Sequence, residues 1–153
     1  MLTVRHFEPK DYHEVLGIER LVFSDREAEE YVSYYFMQRE HFFVAQLDTR
    51  VVGYAVGYVS GEMGKVFSIA VHPMFRGRGI GSSLMIRLLT SLIASGASYV
   101  MLEVRVSNYA AQRLYRKLGF TQIYRVPMYY PDGEDAYVYA LIAPPRPMVM
   151  EES

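Results

Sequence analysis

Cysteine and tryptophan are both missing from the 153 residues. Without cysteine there is no disulfide framework, no thiolate metal site and no cysteine nucleophile. An excess of either charge is missing too: 16 basic side chains stand against 17 acidic ones, a net charge of −1. No whole-molecule field therefore draws the chain onto nucleic acid or an anionic membrane. No apolar run reaches the length of a bilayer span, and Met1 to Asp11 is charged where a secretory leader would be apolar. The cytoplasm is the expected compartment. His6, His13 and His41 are scattered without metal-ligand spacing, and His72 beside Pro73 reads as structural, so no metal is expected.

What is present suits one globular domain. Apolar residues make up 51% and charged residues 22%, and the length is enough to bury a real core. The 14 tyrosines offer flat area with a hydroxyl, suited to a groove that grips polar chains, although most must serve as core and surface. The pattern predicts a strand over Thr3–Phe7 and a helix from Pro9 to about Val22. A second helix comes next, opened by a capping box at Ser24 and Glu27 and running to about Glu40. Strands are expected over Phe42–Leu47, Val51–Val59 and Val66–Val71. A strongly periodic helix then carries Leu84, Met85, Leu88, Leu89, Leu92 and Ile93 on one face and stops at Gly96. After a strand over Tyr99–Val104, Asn108 opens a helix that ends at Gly119. Phe120–Tyr130 and Ala136–Ile142 are the last strands. The order β-α-α-β-β-β-α-β-α-β-β implies a mixed α/β sheet with helices on both faces. One domain is expected over residues 1–143, with a loose tail over 144–153 that holds three prolines.

The segment Arg76-Gly77-Arg78-Gly79-Ile80-Gly81 sits between a strand and the periodic helix. A helix N-terminus presents free N–H groups and a positive dipole end, so it binds anions. Glycines at 77, 79 and 81 allow close approach, and Arg76 and Arg78 add charge, so a diphosphate fits. The alternative is a glycine-rich turn with solvated arginines. A P-loop needs a lysine that Ile80-Gly81-Ser82 does not supply, and a dinucleotide fingerprint needs its third glycine one residue further on.

These residues resemble the R-x-x-G-x-G signature of the Gcn5-related N-acetyltransferase (GNAT) superfamily. Asn108-Tyr109-Ala110-Ala111 and Leu114-Tyr115-Arg116-Lys117-Leu118-Gly119-Phe120 are similar to that family's helix motif. Leu102 to Asn108 and Tyr129 to Ala136 resemble its protein N-terminal acetyltransferase branch, the RimI-like and Ard1-like enzymes. The resemblance spans nearly the whole chain and implies a GNAT fold with splayed central strands. Acetyl-CoA would be the cosubstrate, and a protein or peptide N-terminus, such as that of a ribosomal protein, the acceptor.

The resemblance also implies roles for individual residues. Backbone groups of Ile69, Ala70 and Val71 would bind the pantetheine arm and polarise the thioester, with the diphosphate on Gly77 to Ser82. Glu103 would be the base and Tyr115 the acid at the sulfur, while Asn108 would contact the pantetheine, cap its helix, or both. Tyr129 and Tyr130 would line the slot for the substrate's first residues, and Phe23 and Tyr31 its opposite wall. Strand alternation would send Tyr129 and Tyr130 to opposite faces, so that one of them reaches substrate. The alternative for Glu103 is a structural ion pair with Arg105, and some relatives carry the base on the first helices, where Glu19 stands. Two other functions fit the pattern: acetylation of small amines, and a non-catalytic acyl-CoA sensor.

Overall fold

The computed structural model describes residues 1–144. Strands and helices come in the order expected: β1 (Leu2–His6), α1 (Tyr12–Val22), α2 (Ala28–Met37), β2 (Phe42–Leu47), β3 (Arg50–Ser60), β4 (Met63–Val71), α3 (Ile80–Ala94), β5 (Tyr99–Arg105), α4 (Tyr109–Lys117), β6 (Thr121–Val126) and β7 (Ala136–Ile142). The loose tail expected over 144–153 lies, Pro144 apart, outside the described residues. No helix among the described residues is long and apolar enough to cross a membrane.

The strands form one seven-stranded sheet in the order β1-β2-β3-β4-β5-β7-β6. Strand alternation divides its apolar side chains between two faces. Phe42, Val44, Tyr54 and Val56 pack with Val15 and Ile18 of α1 and Val32 and Tyr35 of α2. Phe43, Ala45 and Ala55 pack on the other face with Leu84, Met85, Leu88 and Leu92 of α3, the stripe read from the sequence. Each such leucine, fully buried, contributes about 1.5–3 kcal/mol, so α3 clamps the middle of the sheet. Helices cover both faces, as the mixed α/β reading requires.

Two local expectations fail. Ser24 and Glu27 form no capping box: α2 begins at Ala28, with Glu27 at its cap position and no side-chain cap bond, and ends at Met37 rather than near Glu40. The chain before α2 is held instead by Arg26, whose guanidinium reaches back to Glu19 of α1. The strand expected over Phe120–Tyr130 stops at Val126. Met128 takes φ +53°, which turns the chain off the strand path.

Two features of β4 open the sheet. Val56 pairs with Ser68 and Gly57 with Val66, so Phe67 is a bulge that bends β4. Position 57 admits only glycine, because a Cβ there would stand 2.3 Å from the Lys65 carbonyl oxygen. Among the described strands, β4 and β5 are the only parallel neighbours, and they pair at just three positions: Met63 with Tyr99, Gly64 with Val100, and Lys65 with Met101. Beyond Lys65 the two strands part.

Candidate active site

The parted strands enclose a cavity of about 950 Å³. Ile69, Ala70 and Val71 of β4 and Leu102 to Arg105 of β5 line it, together with the start of α3, one side of α4, the α1–α2 loop and residues 129–131. A parted strand turns alternate N–H and C=O groups toward its missing neighbour. The gap therefore offers an extended ligand the hydrogen bonds that a strand would take.

At one end stands the N-terminus of α3. Gly77 and Gly79 have φ +79° and +78°, a region that costs other residues about 1–2 kcal/mol. A Cβ on either would meet nothing within 4 Å, so backbone path and not packing demands glycine there, and the space beside them is open. The first bond across this helix end runs from Ser83 N to Gly79 O at 3.1 Å. The amides of Ile80, Gly81 and Ser82 precede it and point out of the helix, which with the dipole makes an anion cradle. Arg76 lines the cavity, and its Nε donates to the Val71 carbonyl at 3.2 Å. Arg78 is not among the lining residues; its guanidinium lies 5.2 Å from the Phe75 ring centre.

Asn108, at the N-cap of α4, and Tyr115 within it reach the cavity from one side. Asn108 lines it and also caps α4, its Oδ1 accepting from Ala111 N at 3.1 Å. Tyr115 lines it with its ring packed on Phe120 and Tyr139, at 5.9 and 6.2 Å between centres. Its hydroxyl has no hydrogen-bond partner among the described residues. Burial, with a contribution from Tyr130, pushes its pKa well above the ordinary tyrosine value, so the proton stays on.

At the far end the chemistry centres on Glu103. One carboxylate oxygen, Oε1, accepts from the Tyr129 hydroxyl at 2.7 Å, and Oε2 accepts from Lys65 Nζ. Glu103 thus has no ion pair with Arg105. Acidic loops at the end of β5 claim that guanidinium: it bonds Asp25 at 2.7 Å and both Asp132 and Glu134 at 2.9 Å, and lies 4.1 Å from the Tyr130 ring centre. Tyr129 and Tyr130 are in a loop, so strand alternation does not separate them; both line the cavity, with ring centres 5.0 Å apart and planes at 82°. Burial and the bond to Glu103 raise the Tyr129 pKa, and burial raises that of Tyr130 to about 12.

Phe23 and Tyr31 line the facing wall. Arg26 lies between them, 3.7 Å from one ring centre and 4.2 Å from the other. Its Nε and Nη2 bond Glu19 at 2.6 and 3.1 Å, and Nη2 also donates to Tyr35 and Ser68. Glu19 is fully buried, takes further bonds from the Tyr35 and Tyr54 hydroxyls, and is not among the cavity-lining residues. It anchors the wall from behind.

Comparison with known proteins decides the family. Residues 8–120 match the Acetyltransferase (GNAT) family. The chain belongs to the GNAT family. An N-alpha-acetyltransferase of Sulfurisphaera tokodaii is 36% identical over 155 residues, 90% of each chain. The crystal structure of Ard1 from Thermoplasma volcanium matches with a TM-score of 0.87 at 32% identity, over 94% of this chain and 99% of that one. That of the ribosomal-protein-S18-alanine N-acetyltransferase from Escherichia coli matches at 0.83 and 30% identity, over 97% and 99%.

In this GNAT protein, the site residues expected from sequence meet in one cavity, apart from Arg78 and the alternative base Glu19. Lys65, Arg26 and Arg105 line it as well and were not anticipated as site residues. Their positions depend on strand register and on partners far along the chain, which periodicity does not report.

Proposed function

We propose that this GNAT protein transfers the acetyl group of acetyl-CoA to the α-amino group of a polypeptide N-terminus, within a single domain spanning residues 1–143. The observation that carries the reading is the cavity itself, in which an anion cradle, a protonated phenol and a carboxylate share one gap between parted strands. The residues present fit acetyl-CoA. The amides of Ile80 to Ser82 and the open space at Gly77 and Gly79 suit a diphosphate, and the unpaired edges of β4 and β5 suit the pantetheine amides. Acetyl-CoA supplies an acetyl group already activated as a thioester.

The chain's own residues supply the rest. Glu103 accepts a proton from the incoming ammonium, directly or through water, so that a neutral amine attacks. A backbone N–H in the Ile69–Val71 stretch donates to the acetyl oxygen as charge grows there. Tyr115 holds its proton at Oη and delivers it to the departing sulfur; its raised pKa keeps it in the donating form. No covalent enzyme nucleophile is needed. Tyr129, Tyr130, Phe23 and Tyr31 form an aromatic slot around Glu103 that suits an extended chain entering by its first residue, and tyrosine hydroxyls can bond its backbone. The Escherichia coli relative makes a ribosomal-protein N-terminus the first acceptor to try.

Small amines fit less well. A polyamine pocket needs carboxylates with charge to spare, whereas Asp132 and Glu134 are bonded to Arg105, and Asp135 to Arg125 at 2.7 Å. An acyl-CoA sensor would have no use for Glu103 and Tyr115 together in the gap. The test is CoA release from acetyl-CoA with peptides varied at their first two residues, run beside spermidine and a lysine peptide with a blocked N-terminus. Turnover on free N-termini that falls at least about tenfold in both Glu103→Gln and Tyr115→Phe supports the proposal. Turnover on spermidine alone moves the protein to the small-amine class, and binding without turnover makes it a sensor.

A further inference from the structure

The chain has three lysines, and they differ sharply in setting. Lys10 and Lys117 are exposed on the surface. Lys65 lines the cavity at the last paired position of β4 and β5, where the strands begin to part, and its side chain is 20% exposed. Its Nζ bonds Oε2 of Glu103, the carboxylate that takes a proton from the acceptor amine in the proposed reaction. Strand alternation explains the meeting. Leu102 and Val104 turn to the α3 face and Glu103 to the other, and Val66 likewise turns to the α3 face while Lys65 does not. A primary amine of the chain thus stands where an acceptor amine is expected.

We infer that Lys65 is a self-acetylation site, the chain's own Nζ serving as acceptor when no peptide fills the slot. This rests on the proposed reaction. The ammonium gives one proton through Glu103 to water, and the neutral Nζ attacks the thioester carbonyl carbon. The new N–C bond forms as C–S breaks, Tyr115 protonates the sulfur, and the second amine proton leaves through Glu103 and water to restore the Tyr115 phenol. The products are N-acetyl-lysine, free CoA and one net proton, with no redox partner. The product lysine is neutral, so its ion pair with Glu103 is lost.

Held in place, Lys65 reacts as part of its own molecule, so the rate should not depend on protein concentration. The full chain is incubated with acetyl-CoA and no peptide, and the acetyl mark is located by tandem mass spectrometry. The expected result is a mark on Lys65 that approaches one per chain, ahead of Lys10 and Lys117, at a rate constant unchanged over about a tenfold range of protein. An N-terminal peptide substrate in excess should suppress it, and Glu103→Gln should slow it at least about tenfold. A second measurement needs no acetyl-CoA: trace labelling by acetic anhydride at neutral pH should mark Lys65 more readily, relative to Lys10, in Glu103→Gln than in the native chain, because the carboxylate no longer holds the ammonium. Rapid peptide turnover with no mark on Lys65 overturns this inference and leaves the proposed function standing. Marks on Lys10 and Lys117 in preference to Lys65 also overturn it, since exposure alone would then govern reactivity. No peptide turnover with a mark on Lys65 overturns the proposed acceptor and not this inference.

Discussion

Replacing Arg26 by methionine should both destabilise the fold and weaken the grip on peptide. The guanidinium makes two bonds to Glu19, one each to Tyr35 and Ser68, and lies between the rings of Phe23 and Tyr31. Methionine keeps much of the stem and none of the bonds. Removing one partner of a buried pair costs about 3–5 kcal/mol, because the other charge is left uncompensated. Glu19 is fully buried but retains the Tyr35 and Tyr54 hydroxyls, which places the loss near the lower end, about 3 kcal/mol. Against a total of about 5–15 kcal/mol this is a large share, and for a chain of this size it lowers Tm by about 6–12 °C. Urea unfolding at neutral pH measures it: the midpoint should fall with the slope unchanged. Adding Glu19→Gln removes the stranded charge, so the double variant should be more stable than the sum of the single losses, with a coupling of about 1–3 kcal/mol. Phe23 and Tyr31 also lose what holds them, so the peptide KM should rise more than kcat falls. A loss below about 1 kcal/mol with additive variants would show that the pair contributes little, and the account of this wall would be wrong.

Three further outcomes rest on the same geometry. Gly79→Ala should cost about 1–2 kcal/mol through its left-handed backbone, with no clash in the fold, and should weaken CoA binding by calorimetry; unchanged CoA affinity would remove the cradle from the mechanism. Burial raises the pKa of Tyr35, Tyr54, Tyr115, Tyr129 and Tyr130, so the folded chain holds phenol protons more tightly than the unfolded one. That stabilisation is complete below the ordinary tyrosine value of about 10 and is lost as pH rises through the folded values, so the urea midpoint should fall above about pH 10, and less steeply in Tyr115→Phe; a level midpoint there would contradict it. Arg105→Met frees Asp25, Asp132 and Glu134, whose pairs stand at the solvent edge and are screened by water, so stability should fall less than in Arg26→Met while the peptide KM rises and CoA affinity holds; equal losses of both affinities would argue against a role confined to the peptide slot.

Local features of the chain were the legible ones. The stripe from Leu84 to Leu92 reports a helix because residues three and four apart share a face wherever the helix packs. The loop from Gly77 to Ser82 was legible for the same reason: its glycines, its strand and its helix are consecutive, and a helix N-terminus offers an anion its backbone amides wherever it lies. The element order, and with it the mixed sheet, came from such local signals added together. Placing Glu103, Tyr115 and the tyrosine pair near one ligand needed the family resemblance, since nothing local joins positions 103, 115 and 129.

The misplaced expectations cluster at the end of the cavity around Glu103 and the α1–α2 loop. Pairing Glu103 with Arg105 used their shared strand face, yet the decision lay with Asp25, Asp132 and Glu134, which come from two loops far apart in sequence. Separating Tyr129 from Tyr130 assumed a strand that Met128 breaks with a left-handed residue. The capping box read at Ser24 does not form, and Arg26 in the same segment reaches back to the buried carboxylate of Glu19. Arg105 and Arg26 were drawn to charges distant in sequence, whereas the tyrosine pair was set by a backbone turn just before it. The end at the glycine loop is built from backbone and is therefore legible; the end around Glu103 is built from side-chain charges whose partners only the fold selects. The same selection set Lys65 against Glu103, through a parallel register of three residue pairs that no local pattern encodes. Acceptor choice in this chain should accordingly respond to substitutions at Lys65, Arg26 and Arg105, none of which touches the glycine loop that marks the family.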